Sequence, residues 1–235
     1  MTYDEFLYFL DKLEEIKSYA GRINAANQTL QRIGSGSGRA VYDIDGTKVL
    51  KVAKNQKGVA QNEVEASIGH YAENEHILTK VFESANDDTW LIAEKAKKVG
   101  EKRIKELTGI PSLSDLNMYL KNHDEESHER RRMFGMDDEI KEQFEENEFI
   151  QELLYFAANY SQHTGDWSRP SSYGEVLRDG EPTIVLTDYG LNDEVYGTYY
   201  DWQRKQQQRP CRIYEFIGGS SGNDDFLSDI GGQIS

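Results

Sequence analysis

Four short segments follow one another along this chain in an order that restricts its possible folds. They are a glycine-rich turn, IGSGSGRAVY at residues 33–42, an apolar run with lysines, KVLKVAK at residues 48–54, the segment QNEVE at residues 61–65, and IVLTDYG at residues 184–190. The first two predict three successive strands, with hairpin turns at the glycines and at Asp45-Gly46. The third lies in a predicted helix, so the order favours an antiparallel sheet with one inserted helix.

Hydrophobic periodicity predicts the remaining elements. An amphipathic N-terminal helix is expected because apolar residues recur there at helical spacing, namely Tyr3, Phe6, Leu7, Leu10, Leu13 and Ile16. The other predictions are helices at residues 59–73, 112–120, 137–160 and 193–208, strands at residues 77–82 and 89–93, and a hairpin at residues 174–187. The expected fold class is α+β, with an antiparallel N-terminal sheet and a mainly helical second part.

Length and charge limit the classes of partner. The 235 residues suffice for one domain of two small lobes, and the formal net charge of -15 opposes binding to a phosphate backbone, so nucleic acid is not an expected partner. A single cysteine, Cys211, allows no intrachain disulfide, which fits a reducing cytoplasm. No apolar stretch is long enough to span a bilayer, so no membrane association is expected.

The glycine turn and the lysine that follows it predict a site for phosphate groups. Gly34 and Gly36 lack side chains that would block a ligand from the backbone, and Lys51 can supply positive charge to phosphates. Leu50 and Val52 should point to the opposite face of the strand from Lys51, because strand side chains alternate. The same residues also fit a flexible Ser/Gly hairpin and a solvated lysine on an edge strand.

Three acidic residues are candidates for the same site. Either Glu63 or Glu65 can pair with Lys51 from the predicted helix, although both also fit an ordinary charged helix face. Asp188 ends a buried strand just before Tyr189-Gly190, where it is a candidate Mg²⁺ ligand or a simple turn residue.

Taken together, these segments resemble the protein-kinase-like superfamily, and most closely the small kinase-like proteins of bacteria and phages. The resemblance covers roughly residues 30–96 and 163–192. It implies a two-lobed fold with an antiparallel N-lobe sheet, one αC-like helix and a reduced helical C-lobe. It also implies ATP and Mg²⁺ as cofactors and a cytoplasmic location, in the host cytoplasm or the virion if the chain is phage-encoded.

The resemblance assigns roles to further residues. The QNxxE spacing favours Glu65 over Glu63 as the lysine partner, and the backbone from Glu94 to Ala96 takes the place of the hinge that binds adenine. Asp166 takes the place of the catalytic aspartate, which accepts the proton of the attacking hydroxyl.

The resemblance also places Arg169 near the transferred phosphate. Ser171 or Ser172 stands where a metal-binding asparagine is expected, and serine is the weaker ligand.

Three functions remain open at this level. The first is an ATP- and Mg²⁺-dependent phosphotransferase acting on an unidentified hydroxyl of a small molecule or protein. The second is a pseudokinase that serves as a binding module, and the third is a phage accessory or structural protein. The missing metal-binding asparagine and the short C-lobe favour the last two.

The resemblance suggests a division of the chain into three parts. Residues 1–94 would form the N-terminal helix and N-lobe, residues 95–217 the hinge and reduced C-lobe, and residues 218–235 a disordered acidic tail. The tail is a candidate docking segment for a protein partner.

Overall fold

A computed structural model describes residues 2–123 and 136–201 of the chain, and the fold is α+β, as predicted. Predictions about Cys211 and the tail at residues 218–235 lie outside the described residues. The helices are α1 (Tyr3–Glu15), α2 (Tyr19–Thr29), α3 (Gln56–Gly69), α4 (Glu101–Thr108), α5 (Leu113–His123), α6 (Asp138–Glu145), α7 (Glu148–Tyr160) and α8 (Asp193–Tyr196). The strands are β1 (Gln31–Ser35), β2 (Arg39–Asp43), β3 (Lys48–Ala53), β4 (Val81–Ser84), β5 (Trp90–Glu94), β6 (Lys97–Lys98), β7 (Tyr173–Arg178) and β8 (Glu181–Leu186).

Strands β1 to β5 form a five-stranded antiparallel sheet in the order β1-β2-β3-β5-β4. Helix α3 lies between β3 and β4 in the chain, so the predicted sheet with one inserted helix is confirmed. In the central strand β3, Lys51 pairs with Val41 of β2 on one side and with Leu91 of β5 on the other. This register fixes which side chains face α3 and the second part of the chain.

The two faces of the sheet pack against different parts of the molecule. Leu50 and Val52 of β3 point to the outer face, where they join a core with Phe9 and Leu13 of α1. Lys51, between them, points to the inner face, since alternate residues of a strand lie on opposite sides. Tyr3 and Leu7, which the periodicity assigned to the apolar side of α1, are exposed.

Helix α2 was not predicted from the sequence. Its buried residues are Arg22 and Ala26, so it lacks the stripe of large apolar side chains by which periodicity identifies a helix. Ser18 caps it by accepting a hydrogen bond from the Gly21 backbone nitrogen, and Arg22 donates through Nε to the Leu13 carbonyl at 3.3 Å. Tertiary contacts with α1 therefore stabilise a helix whose own pattern is weak.

The second part of the described chain contains α4 to α8 and the three-stranded sheet β6-β7-β8. Helix α4 was not predicted, because Ile104 is the one buried residue in a basic segment. The single helix predicted at residues 137–160 is two helices, α6 and α7. Asn147 separates them: its Oδ1 accepts from the Ile150 nitrogen to cap α7, and its Nδ2 donates to the Thr108 carbonyl at 2.7 Å.

Contacts near the end of β8 help to join the second part to the first. Leu78 and Leu186 form a parallel β-bridge, and Tyr189 donates its hydroxyl hydrogen to the Thr79 carbonyl at 2.7 Å. These contacts hold the end of β8, with the Asp188 that follows it, against the inner face of the large sheet. Within residues 2–123 and 136–201, no helix has the length and apolar content needed to cross a membrane.

Candidate functional site

A cavity of about 1020 Å³ lies between the inner face of the large sheet and the second part of the chain. Almost all of the residues proposed from the sequence line it, namely Gly34, Gly36, Lys51, Glu94, Ala96, Asp166, Arg169, Ser171 and Asp188. Glu65 lies behind Lys51 and is fully buried. The structure thus brings the predicted site residues to one place.

Lys51 reaches two oxygen acceptors at the base of the cavity. Its Nζ donates to Glu65 Oε2 at 2.5 Å and to the Thr187 carbonyl at 2.7 Å. Glu63, the alternative partner, is exposed on the opposite side of α3. Burial lowers the pKa of Lys51 despite the opposing effect of the Glu65 charge. Glu65 is therefore the residue that orients the lysine.

Arg39 is a site residue that was not predicted from the sequence. It belongs to β2, on the same face as Lys51, and its side chain is 6% exposed. One guanidinium nitrogen, Nη2, donates to Glu65 Oε1 at 2.7 Å and to Asp188 Oδ1 at 2.5 Å. Strand alternation from Lys51 through Val41 would have placed Arg39 on this face, which is the signal that could have identified it.

The site contains two positive groups, Arg39 and Lys51, and two negative groups, Glu65 and Asp188, so their formal charges cancel. The Asn62 amide supports this cluster. Asn62 accepts from Arg39 Nη1 at 3.3 Å and donates to the Asp88 carbonyl at 2.9 Å. Desolvation disfavours the Arg39 charge, but the carboxylates outweigh this effect and raise its pKa. Desolvation likewise raises the pKa of Asp188, yet the positive charges of Arg39 and Lys51 hold that pKa below its usual value. The directions of these two shifts favour the charged forms of Arg39 and Asp188.

The glycine-rich turn is shaped by contacts with the start of α3. A Cβ atom at Gly38 would overlap Gln61 Oε1 and come within 3.2 Å of the Gly58 Cα, so close packing against α3 favours a glycine there. A Cβ atom at Gly36 would meet no atom within 4 Å, so packing does not explain that glycine. The open position above Gly36 leaves the backbone accessible to a ligand in the cavity.

The segment around Asp166 forms the opposite wall of the cavity. Asp166 lies in a short 3-10 turn, and its Oδ1 is 3.0 Å from Arg169 Nη1. The two side chains are 51% and 67% exposed. Ser172 is buried and donates to the Asp166 carbonyl at 2.7 Å, whereas Ser171 is exposed at the cavity. Ser172 therefore holds the turn, and Ser171 is the serine that is exposed at the cavity.

Glu94 contributes to the cavity through its backbone, because its carboxylate is occupied elsewhere. Arg178 donates to both carboxylate oxygens at 2.7 Å, which links β5 to the end of β7. Burial raises the pKa of Glu94, but the hydrogen bonds from Arg178 outweigh it and lower the pKa overall. Ala96 lies beside Gly174 of β7, where a larger residue than glycine would not fit.

The donor set around Asp188 does not fit a resident Mg²⁺ ion. Arg39 Nη2 already lies 2.5 Å from Asp188 Oδ1, and a second cation on that oxygen would be repelled by the guanidinium. Ser171 supplies a neutral hydroxyl in place of an amide or carboxylate oxygen. Among the described residues, no group of three or more His, Cys, Asp or Glu side chains is arranged to hold a metal ion.

Comparison with known proteins identifies no family. No protein-family model matches the chain, and no curated protein matches it significantly. Among solved structures, the GDP and kanamycin complex of the aminoglycoside phosphotransferase APH(2")-IIia matches with a TM-score of 0.33 and 14% identity, over 69% of this chain and 67% of that chain. The streptomycin-ATP complex of APH(2")-IIa matches with a TM-score of 0.35 and 13% identity, over 81% of this chain and 71% of that one.

SAICAR-synthase from Saccharomyces cerevisiae, complexed with SAICAR, matches with a TM-score of 0.34 and 11% identity, over 68% of this chain and 73% of that chain. At TM-scores of 0.33–0.35 and identities of 11–14%, these similarities assign neither a family nor a function to this chain. The function proposed below therefore depends on the side chains of this chain alone.

Proposed function

We propose that this protein binds a nucleoside triphosphate in the cavity and transfers its terminal phosphoryl group to a hydroxyl acceptor. The observation that carries the proposal is the convergence of Lys51, supported by buried Glu65, with Asp188 and Asp166 around one cavity. Enzymes that transfer a phosphoryl group from a nucleoside triphosphate need such an arrangement, in which a fixed cation contacts the phosphates and a carboxylate contacts the acceptor. A cytoplasmic location is part of the proposal.

Each residue has a defined role in this proposal. The phosphates lie under the turn at Gly34 and Gly36 and pair with Lys51, while the base contacts the backbone near Glu94 and Ala96. The acceptor hydroxyl oxygen attacks the terminal phosphorus, and the bond from that phosphorus to the bridging oxygen breaks. The nucleoside diphosphate leaves with the bond electrons.

Asp166 is the candidate general base for this step. It accepts the proton of the attacking hydroxyl, and its half-exposed carboxylate at the cavity wall is accessible to an acceptor. Arg169, 3.0 Å from Asp166, adds positive charge close to the phosphoryl group in transit.

Nucleotide binding is tested with two matched lysine variants on β3. Lys51→Met removes the charge at the base of the cavity, and we expect ATP affinity measured by calorimetry to fall about tenfold or more. Lys48→Met removes a lysine from the outer face of the same strand, where its ammonium lies over the Phe82 ring, and should leave the affinity unchanged. Equal losses in both variants, or no binding by the unmodified protein, would contradict the proposal.

A second candidate function is nucleotide binding without transfer, and two observations favour it. Arg39 is paired with the carboxylate expected to hold a metal, and Ser171 stands in place of the metal-binding asparagine. Conversion of radiolabelled ATP, to ADP or to a phosphorylated product, distinguishes the two candidates. Binding accompanied by no conversion above that of Asp166→Asn would identify a binding module.

A further inference from the structure

Arg39 occupies an unusual position for a residue next to a phosphate-binding turn. It directly follows the glycine-rich segment, and the Gly36 nitrogen donates to its carbonyl at 2.9 Å. Its guanidinium is held at the base of the cavity between Glu65 and Asp188. A cation built into this position is buried and oriented before any ligand arrives.

The surroundings of the turn are basic although the chain as a whole is strongly acidic. Lys54 Nζ donates to the Gly36 carbonyl at 2.8 Å, and Lys57 Nζ donates to Ser37 Oγ at 2.8 Å. Together with Lys51 and Arg39, these side chains place four cations around one short turn in a protein of net charge -15. Such a local concentration of positive charge attracts a polyanion such as a triphosphate.

We infer that Arg39 takes the place of the divalent cation, so that the cavity binds the triphosphate through Lys51 and Arg39 without Mg²⁺. This inference rests on the nucleotide binding proposed above. A guanidinium carries five N–H donors in a planar fork, and the side-chain contacts to Glu65, Asp188 and Asn62 use three hydrogen bonds. It can therefore bridge phosphate oxygens to Asp188, as a metal ion does elsewhere.

The competing arrangement is electrostatically unfavourable. A divalent ion on Asp188 would have to displace Arg39 from its short contact or remain within a few ångströms of it. Displacement would leave the buried guanidinium with fewer partners, and removing a partner from a buried charge is costly. Because Arg39 and Lys51 already balance the formal charges of Glu65 and Asp188, the cluster has no excess negative charge that a metal ion would neutralise.

The decisive experiment measures ATP affinity of the full chain by calorimetry, in Mg²⁺ and in EDTA. For the unmodified protein we expect dissociation constants that agree within about threefold, a difference of less than 1 kcal/mol. Arg39→Gly should bind ATP more weakly than the unmodified protein in EDTA. Addition of Mg²⁺ should then tighten ATP binding by this variant at least about tenfold, because Asp188 is open to the metal. Arg39→Lys, which retains the positive charge, should remain insensitive to Mg²⁺.

The outcomes separate this inference from the proposed function. Tight binding by the unmodified protein in Mg²⁺ with a tenfold or greater loss in EDTA would overturn the role of Arg39 and leave nucleotide binding intact. If the unmodified protein binds ATP neither in Mg²⁺ nor in EDTA, both the role of Arg39 and the proposed nucleotide binding are overturned. If Arg39→Gly does not fold, as judged by its thermal transition, the comparison of the unmodified protein in the two buffers still decides. A folded Arg39→Gly that binds equally with and without Mg²⁺ would also refute the inference.

Discussion

The two walls of the cavity differ in how firmly their charged groups are held. On the sheet side, Lys51, Glu65 and Arg39 are at most 7% exposed, and each has at least two polar partners. On the other side, Asp166 and Arg169 are half exposed or more, and their side chains pair with each other. The charged groups are therefore buried and paired on the sheet side, and exposed to water on the Asp166 side.

Because of this difference, we expect the two walls to bind different parts of a ligand. Charges in a buried, fully paired cluster have few alternative positions, because any departure leaves a desolvated charge without a partner. Exposed charges are screened by water and can change partners at little cost. We expect the sheet side to bind the invariant part of the ligand, the triphosphate, and the Asp166 side to adapt to the acceptor. The following predictions test this contrast, in order of decreasing effect on stability.

The largest effect is expected for Glu65→Ala. This change leaves Lys51 and Arg39 buried with one carboxylate partner fewer each, so the free energy of unfolding should fall by about 3–5 kcal/mol. Urea denaturation followed by circular dichroism measures it. Glu63→Ala, an exposed change two residues earlier on α3, is the matched control and should cost at most about 0.5 kcal/mol. Similar losses at both positions would show that the cluster is not the rigid wall.

An intermediate effect with a pH dependence is expected for Glu94→Gln. The variant weakens the two hydrogen bonds from Arg178, so the free energy of unfolding should fall by about 2 kcal/mol at pH 7. Because the folded-state pKa of Glu94 is lowered, its contribution is present above the unfolded value of about 4.3 and is lost as the pH falls through the folded value.

Denaturation of Glu94→Gln and of the unmodified protein at several pH values checks this prediction. The difference in stability between them should be constant near neutral pH and should shrink as the pH is lowered below about 4. A difference that stays constant across the acidic range would mean that the charge of Glu94 contributes nothing to the link between β5 and β7.

The smallest effect on stability, with a large effect on transfer, is expected for Asp166→Asn. Its half-exposed carboxylate has an exposed arginine as its ion-pair partner, so the free energy of unfolding should change by at most about 0.5 kcal/mol. If Asp166 is the general base, conversion of radiolabelled ATP should fall about a hundredfold or more. Unchanged conversion in a stably folded variant would remove Asp166 from the mechanism.

The parts of the fold that the sequence predicted well have strong local signals. The hairpins around Asp45-Gly46 and Arg178-Asp179-Gly180 combine alternating apolar residues with residues that favour tight turns, and Gly46, Asp179 and Gly180 do adopt positive φ angles. Helix α3 was expected at residues 59–73 and is found at Gln56–Gly69, because Asn55 caps it earlier by accepting from the Gly58 nitrogen.

The parts that the sequence did not predict depend on contacts between distant residues. Helices α2 and α4 bury few apolar side chains of their own, so no local pattern identifies them. Position 39 was not predicted as a site residue, since a charged residue after a turn usually faces solvent. Strand alternation gives the face on which Arg39 lies, but its pairing with Asp188, 149 positions away, is contained in no local pattern.

By itself, the sequence determined the α+β class, the order of the strands along the chain and the face of β3 on which Lys51 lies, because these follow from alternation and turn chemistry within a few residues. The tertiary structure decided that Glu65 rather than Glu63 pairs with Lys51, and that Arg39 joins Glu65 to Asp188. Those choices depend on which charges are removed from water, since Lys51, Arg39 and Glu65 are buried whereas Asp188 is 57% exposed. Desolvation is a property of the packed molecule, since it arises only when α3, β2, β3 and the segment after β8 meet at the base of the cavity.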